Sequence, residues 1–181
     1  IRPYKKLIPA ITSYPDDIII TTDDDVVYDK TMVEKLYESY KKAPHHIHCH
    51  RITKISLKKG KFKARCKQCY KQPSFANKLV GIGGVLYPPN SLYKDITNEN
   101  LFTQLAPTND DIWFWLMAVM NGTKIVQIKH NQDDPPEIEE TLTGPCLCHV
   151  NDSGENLFYV QLEKVFNHYE GLREKVISDM K

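Results

Sequence analysis

The sequence lacks a long hydrophobic run, a large net charge and a common nucleotide-binding motif. The apolar stretch Ile112 to Met120 is far shorter than the ~20 residues that a membrane-spanning helix needs. The net charge of +1 argues against a general polyanion-binding protein. Neither a Gly-x-x-x-x-Gly-Lys-Ser/Thr loop nor a Gly-x-Gly-x-x-Gly motif occurs, which argues against the P-loop and dinucleotide-binding classes that use them.

Five cysteines, an odd number, occur in a sequence without a signal peptide, which favours a reducing compartment such as the cytoplasm. Two segments, Cys66-x-x-Cys69 and Cys146-x-Cys148-His149, contain the ligand types of a tetrahedral zinc site. The second spacing is less usual for zinc, and nothing else links the two segments. We therefore predict neither a structural zinc ion nor a disulfide.

The length of 181 residues fits a single domain, 1–181, with room for a hydrophobic core. The chain begins at Ile1 without an initiator methionine, already inside a structured segment, in which Tyr4 to Ile11 predicts a short helix. We therefore expect it to be part of a longer or processed protein.

Three aspartates follow a strongly apolar segment near the N-terminus. Ile18 to Ile20 are consecutive and β-branched, which predicts a strand buried on both faces, as in a parallel sheet. Asp23, Asp24 and Asp25 come at its C-terminal end, where open α/β sheets bind ligands. Adjacent carboxylates repel one another unless a cation or buried donors relieve them, and hard oxygen ligands suit Mg²⁺ or Mn²⁺. The alternative is that they end the strand and cap the next helix.

The middle of the chain predicts a helix and then a strand. Asp29 is placed to cap a helix from Lys30 to Lys42. Ile47 to Ile55 is typical of one strand, with His48 and His50 on the same face. The apolar positions of the helix are Val33, Leu36, Tyr37 and Tyr40. Further along, the pattern predicts a strand over Lys124 to Ile128, an acidic loop over Gln132 to Glu140 and a helix over Gly154 to His168.

The segment Lys54 to Lys71 carries eight basic residues and no acidic one. Lys58-Lys59-Gly60-Lys61 predicts a turn, and thus an exposed two-stranded hairpin. Such runs are often solvated faces; the alternatives are attraction to an anionic lipid surface or to nucleic acid. Nucleic acid is the weaker alternative, because Phe62 and Tyr70 are the only aromatic residues available for base stacking.

Two further segments contain candidate site residues. Gly81 to Gly84 precede Val85-Leu86-Tyr87, and glycines there permit positive φ or a close approach of a ligand to the backbone. Asp110 and Asp111 open an apolar helix, for which Asn109 or Thr108 is the predicted N-cap. Acids in a first turn complement the helix dipole, which is a structural role; the alternative is a general base that projects into a cleft.

Taken in order, these segments resemble the glycosyltransferases of the GT-A fold. The resemblance rests on the Asp-Asp-Asp strand end, the glycine pair before Val-Leu-Tyr, and the Asp-Asp pair that opens an apolar helix followed by Asn-Gly-x-Lys-Ile. Tyr4 to Ala10 and Ile47 to Arg51 are also similar to segments of bacterial enzymes that build lipooligosaccharide, capsule or other surface glycans. The resemblance covers residues 2 to 128.

This family implies an α/β fold with a mixed, mainly parallel, Rossmann-like sheet flanked by helices. The basic hairpin would be an excursion from it. Such proteins begin with a strand-helix-strand unit that binds the nucleotide base, and this sequence has no residues before Ile1 to form it. The resemblance therefore implies that the chain is the C-terminal part of a fuller enzyme.

In such enzymes the acidic strand end binds a divalent cation that bridges the diphosphate of a nucleotide sugar. The resemblance thus assigns Mn²⁺ or Mg²⁺ to Asp23 and Asp25, with Asp24 between them. Many relatives add a C-terminal histidine to the metal, and His149 is the candidate here.

In the inverting members an acidic pair opens a helix, and its aspartate deprotonates the acceptor hydroxyl. The resemblance therefore implies Asp111 as the general base and Asp110 as its support. The strand that carries Gly83 and Gly84 would line the donor-sugar and acceptor side of the cleft.

The expected partners are a nucleotide-sugar donor and a glycan or glycolipid acceptor, without nucleic acid. Lys54 to Lys71 would add a peripheral contact with an anionic membrane, at its inner face in the cytoplasm. Two other classes remain open. A metal-dependent nucleotidyl- or phosphoryltransferase would use the same acidic strand end. A non-enzymatic binding module would use the basic hairpin, with or without zinc.

Overall fold

The computed structural model describes residues 2–66, 71–129, 135–136, 138 and 157–180. Its α-helices are α1 (Ile8–Ser13), α2 (Met32–Lys42), α3 (Glu99–Leu105), α4 (Asp110–Asn121), α5 (Leu157–His168) and α6 (Leu172–Ser178). Its strands are β1 (Ile19–Thr21), β2 (Ile47–Cys49), β3 (Ile52–Lys58), β4 (Lys61–Cys66), β5 (Lys71–Ser74), β6 (Asn77–Leu79), β7 (Val85–Tyr87) and β8 (Ile125–Gln127).

The described strands form two sheets. One has five strands in the order β1-β7-β2-β8-β5, and the other has three in the order β4-β3-β6. Within the larger sheet β2 and β8 run parallel, while the β1–β7, β2–β7 and β5–β8 pairs are antiparallel. An α/β fold with a mixed sheet and flanking helices is therefore present. The prediction of a mainly parallel sheet is wrong for the described strands, because β7 runs between β1 and β2 in the opposite direction to both.

The strand before the three aspartates lies at the edge of its sheet. β1 pairs with β7, and Ile19 and Ile20 are only half-buried. Ile19 packs against the main core, while Ile20 packs against a smaller cluster on the α2 side of the sheet. Both faces are thus covered, as the consecutive isoleucines indicated. The two isoleucines are nevertheless only half-buried and not fully buried as predicted, because β1 has a neighbouring strand along one of its two edges only.

The predicted single strand over Ile47 to Ile55 is two strands in different sheets. The chain leaves β2 after Cys49 and enters β3 at Ile52. At the break, the Val80 N–H donates to the Arg51 carbonyl at 3.2 Å. A Cβ placed on Gly83 would lie 2.8 Å from Arg51 Cβ. The glycine turn thus packs directly on Arg51, and the chain passes from one sheet to the other at this contact.

The basic hairpin has the predicted turn but is not an excursion. Lys59 and Gly60 both have positive φ, as a two-residue type I′ turn requires. Lys58 pairs with Lys61 on either side of the turn. On the inner face Ile55 and Phe62 are buried, and β3 also pairs with β6. The hairpin is therefore two-thirds of the smaller sheet, with one face in the core.

Helix α4 lies at the centre of the core. It begins after Asn109, whose side chain accepts from the Ile112 N–H, and ends at Gly122 in the left-handed conformation. Trp113 and Trp115 are fully buried, and their indole N–H groups donate to the carbonyls of Ile96 and Phe75. The predicted cap, the predicted stop and the core position of both tryptophans are confirmed.

Helix α2 presents a different face from the predicted one. Met32 and Leu36 are buried, whereas Val33 and Tyr37 are exposed. The helix begins after Thr31, because the Asp29 carboxylate accepts from the Thr31 N–H at 2.8 Å and holds a turn before the helix. The predicted start at Lys30 is thus two residues early, and the apolar stripe includes Met32 in place of Val33.

The C-terminal helix predicted over Gly154 to His168 is α5, whose first described residue is Leu157. Leu162, Val165 and Phe166 are buried as predicted, and Val160 is half-buried. Of the cysteines, Cys49 is a free buried thiol. The side chains of the other four lie outside the described residues. Within the described part of the chain, no helix is long and apolar enough to cross a membrane.

Two buried histidines connect helix α2 to strand β2. The His48 ring nitrogens lie 2.9 Å from Ser39 Oγ and 2.9 Å from the Ala43 carbonyl oxygen. His50 Nε2 lies 3.1 Å from the Met32 carbonyl oxygen. Burial lowers the pKa of His48 to about 4, although the hydrogen bond to Ala43 opposes it. Burial lowers the pKa of His50 as well.

Acid should therefore destabilise the fold. The unfolded chain binds a proton at His48 near pH 6.5, whereas the folded protein does so only near pH 4. The neutral form of His48 thus contributes to the free energy of unfolding in full above pH 6.5. This contribution falls by about 3 kcal/mol as the pH is lowered from 6.5 toward 4. Urea unfolding between pH 7 and 4.5 measures it. His48→Gln should flatten the pH dependence, whereas His168→Gln, at an exposed position, should leave it unchanged. Equal slopes in all three proteins would contradict the prediction.

Candidate active site

The chain after β1 turns back toward the glycine segment. Asp23 is half-buried, while Asp24 and Asp25 are exposed. The Asp23 N–H donates to the Tyr28 hydroxyl at 2.9 Å, and this hydroxyl donates to the Ile82 carbonyl at 2.9 Å. The aspartate segment is thereby fixed against the turn at Gly81 to Gly84.

Described residues of the acidic loop also contact this segment. The Val27 N–H donates to the Pro136 carbonyl at 2.9 Å, and the Ile138 N–H donates to the Asp25 carbonyl at 2.8 Å. Pro136 and Ile138, described residues of the predicted loop, thus adjoin the aspartate segment. His149, the predicted histidine ligand, lies outside the described residues.

A single lysine joins the strand end to the start of α4. Lys6 Nζ lies 3.1 Å from Asp23 Oδ1 and 3.2 Å from Asp110 Oδ2. Burial alone would lower the pKa of Lys6, but Asp110, Asp111 and Asp23 together raise it above its usual value. Lys6 is therefore a permanent cation between carboxylates that lie far apart in the sequence.

The N-terminal turn fixes the position of this lysine. Tyr4 is buried, its ring stacks on Phe102 at a centroid distance of 4.0 Å, and its hydroxyl donates to the Ala106 carbonyl. Because α4 follows shortly after Ala106, the turn that carries Lys6 is attached to the same region that carries Asp110.

Asp111 is held by a second lysine and by the backbone. Lys78 Nζ lies 3.3 Å from Asp111 Oδ2, and the Gly81 N–H donates to Asp111 Oδ1 at 3.1 Å. Lys78 is 6% exposed and also donates to the Leu79 carbonyl at 3.1 Å. Both oxygens of Asp111 therefore have a fixed donor, and its side chain is partly exposed to solvent.

Asp110 is the more deeply buried of the pair. Burial and the charge of Asp111 raise the pKa of Asp110 to about 6, while Lys6 opposes the shift. Its Oδ2 has no directed hydrogen bond within the described residues, although Lys6 is close to it. The arrangement combines a buried carboxylate that resists ionisation with a neighbouring carboxylate that is fixed by two donors.

Glycine 81, more than Gly83 or Gly84, borders this cluster. A Cβ on Gly81 would lie 2.6 Å from Lys6 Nζ and 3.1 Å from Asp111 Oδ1. Gly84 has a φ of +86°, and a Cβ there would lie 2.9 Å from Met32 Sδ. Gly83 and Gly84 are thus buried against Arg51 and Met32.

Sequence reasoning found the carboxylates and the Gly81 to Gly84 segment but missed Lys6 and Lys78. Both lysines are ordinary in their local sequence, and their ion pairs join segments that are distant along the chain. The only local signal was the position of Lys6 in the Tyr4 to Ala10 segment.

Metal binding has a limited donor set. No three His, Cys, Asp or Glu side chains among the described residues are arranged to hold a metal ion. Mg²⁺ commonly binds one or two protein carboxylates together with substrate phosphates and water. Asp23 and the exposed Asp25 would supply two carboxylate ligands to a divalent cation whose other ligands come from outside the protein, and in its absence Lys6 neutralises Asp23.

Comparisons with protein-family models, with curated proteins and with solved structures found no match.

Proposed function

We propose that the chain is a glycosyltransferase domain of the GT-A type. It would move a sugar from a nucleotide-sugar donor to a glycan or glycolipid acceptor, with inversion and with Mn²⁺ or Mg²⁺. The supporting observation is that the acidic strand end and the acidic helix start share one ammonium, Lys6, at 3.1 and 3.2 Å. The two parts that the chemistry requires are thus adjacent.

The fold supports the proposal at a coarse level. The α/β architecture with a mixed sheet places Asp23 just beyond the C-terminal end of β1, the position where such sheets bind ligands. The assignment to the GT-A fold in particular rests on the resemblance of the sequence segments.

In the proposed reaction Asp23 and Asp25, with Asp24 between them, would hold the cation. When bound, this cation stabilises the charge that develops on the leaving diphosphate. Asp111 accepts the proton of the acceptor hydroxyl. The hydroxyl oxygen forms a bond to the anomeric carbon on one face while the carbon–oxygen bond to phosphate breaks on the other, which inverts the anomeric centre.

The neighbouring groups orient this base. Lys78 and the Gly81 N–H each contact one oxygen of Asp111, so its carboxylate has a fixed direction. Asp110 is the buried member of the acidic pair, and it supports Asp111 through its contact with Lys6. The resemblance assigns Gly83 and Gly84 to the wall beside the donor sugar and the acceptor, whereas Gly81 is the glycine that contacts Asp111.

The first test is donor binding. A panel of nucleotide sugars, with nucleoside triphosphates as a comparison, is screened for thermal stabilisation with and without Mn²⁺. Ligands that bind the folded state raise its stability by mass action. We expect one nucleotide sugar to stabilise the protein only with Mn²⁺. Stabilisation by nucleoside triphosphates alone would favour the nucleotidyl- or phosphoryltransferase alternative and contradict the proposal.

Metal binding by Asp25 is tested by calorimetry. We expect Mn²⁺ to bind weakly alone and more tightly with a nucleoside diphosphate, because phosphate oxygens complete its coordination. Asp25→Asn should weaken the second binding by more than the about 10–100-fold usual for loss of a residue that supports a ligand. Asp16→Asn, at another exposed position, is the matched control. Equal binding by the Asp25→Asn variant and wild type would remove Asp25 from the metal site.

A further inference from the structure

The outward face of the β3–β4 hairpin is basic on both strands. The strand register places the outward residues opposite one another in three rows. These rows are Lys54 with Arg65, Ser56 with Lys63, and Lys58 with Lys61. The three rows span about 14 Å along the strands. Lys59 extends the same charge into the turn.

The opposite face of the hairpin fixes this surface in place. Phe62 is buried, and its ring lies 5.1 Å from the ring of Phe166 on α5. The Ala64 N–H donates to the Tyr159 hydroxyl at 3.2 Å, which adds a second attachment to α5. The basic face is therefore presented as a preformed array.

Four of the cations on this face form no salt bridge within the described part of the chain. Lys54 reaches Ser74 Oγ and Asn77 Oδ1, whereas no described acidic side chain forms a salt bridge with Lys58, Lys61, Lys63 or Arg65. Like charges directly opposite on a sheet destabilise it. Lysine on the edge strand β4 would hinder sheet extension, but that role does not require basic residues opposite on β3. The repulsion is relieved when an anionic surface covers the face.

We propose that this face docks on the surface of a bilayer that contains anionic phospholipid. Its array of cations is complementary to a surface of phosphate and carboxylate groups. The outward rows contain no aromatic ring on which a base would stack, which disfavours single-stranded nucleic acid. The proposal does not depend on sugar transfer.

The test is sedimentation of the protein with vesicles at physiological salt. One set is phosphatidylcholine alone, and the other contains about a third phosphatidylserine. The triple variant Lys58→Gln/Lys61→Gln/Lys63→Gln removes three charges from the face. Lys30→Gln/Lys42→Gln/Lys164→Gln removes three charges at exposed positions outside the hairpin.

We expect wild type to bind the phosphatidylserine vesicles and not the neutral ones. The hairpin variant should bind about a hundredfold more weakly and the control variant nearly as well as wild type. Higher salt should weaken wild-type binding. No wild-type binding, or an equal loss in both variants, would overturn the proposal. Tighter binding to a single-stranded RNA, lost in the hairpin variant, would assign the face to nucleic acid and also overturn it.

Discussion

Replacing Lys6 with methionine should lower the free energy of unfolding by about 3–5 kcal/mol, the range usual for removing one partner of a buried ion pair. The ammonium of Lys6 contacts both Asp23 and Asp110. Without it, the buried Asp110 keeps Asp111 as a like-charged neighbour and loses its nearest cation. Methionine retains an unbranched apolar stem, so the change isolates the charge. Denaturant unfolding at neutral pH measures the difference.

Two further variants make this result interpretable. Lys41→Met removes an exposed lysine that pairs with Glu38, and such pairs contribute little to stability. Adding Asp110→Asn to Lys6→Met should recover part of the loss, because the uncompensated carboxylate is then gone. If Lys6→Met is as stable as Lys41→Met, the Lys6 bridge does not stabilise the fold.

Replacing Asp111 with asparagine should reduce sugar transfer by about 10²–10⁴-fold, the usual contribution of a general base. This prediction rests on the proposed function. Asparagine keeps an oxygen that can accept from the Gly81 N–H, but it cannot take a proton from an acceptor hydroxyl. Donor binding should be nearly unchanged, since the base contacts the acceptor. Transfer per folded molecule and calorimetric donor affinity are measured on the same preparation.

Asp110→Asn is the matched comparison for this experiment. It should lower transfer less, because Asp110 faces Lys6 in the interior and has a supporting role. A large loss with Asp110→Asn and normal transfer with Asp111→Asn would exchange the two assignments. A lower melting temperature with normal transfer in the Asp111→Asn variant would give the carboxylate a structural role, in agreement with its contact to Lys78.

Local signals predicted the elements that depend on neighbouring residues. The Asn109 cap and the Gly122 stop define α4, and Lys59-Gly60 defines the hairpin turn, because each depends on a few consecutive backbone angles. The burial of both tryptophans followed from a helix that is apolar all round.

Long-range arrangements could not be predicted in the same way. The three isoleucines before the aspartates are as compatible with an edge strand as with a central one, since strand order depends on how β7 enters the sheet. Ile47 to Ile55 has continuous strand character, and its division at Arg51 depends on the packing of Gly83. The local sequence around Lys6 and Lys78 does not predict their burial, because the carboxylates that compensate their charges come from other segments.

The two halves of the candidate site belong to regions that differ in the free energy of local opening. Asp110 and Asp111 open α4, whose apolar residues are almost all fully buried, so the amides in the later turns of this helix should exchange with solvent only on global unfolding. Asp23 follows an edge strand of three residues with half-buried side chains, a region that opens locally at lower free energy. A local opening at β1 would separate the aspartate segment from the helix while the core stays intact. Under the proposed function, exchange of substrate and product would then depend on that edge, while Asp111 keeps its position throughout.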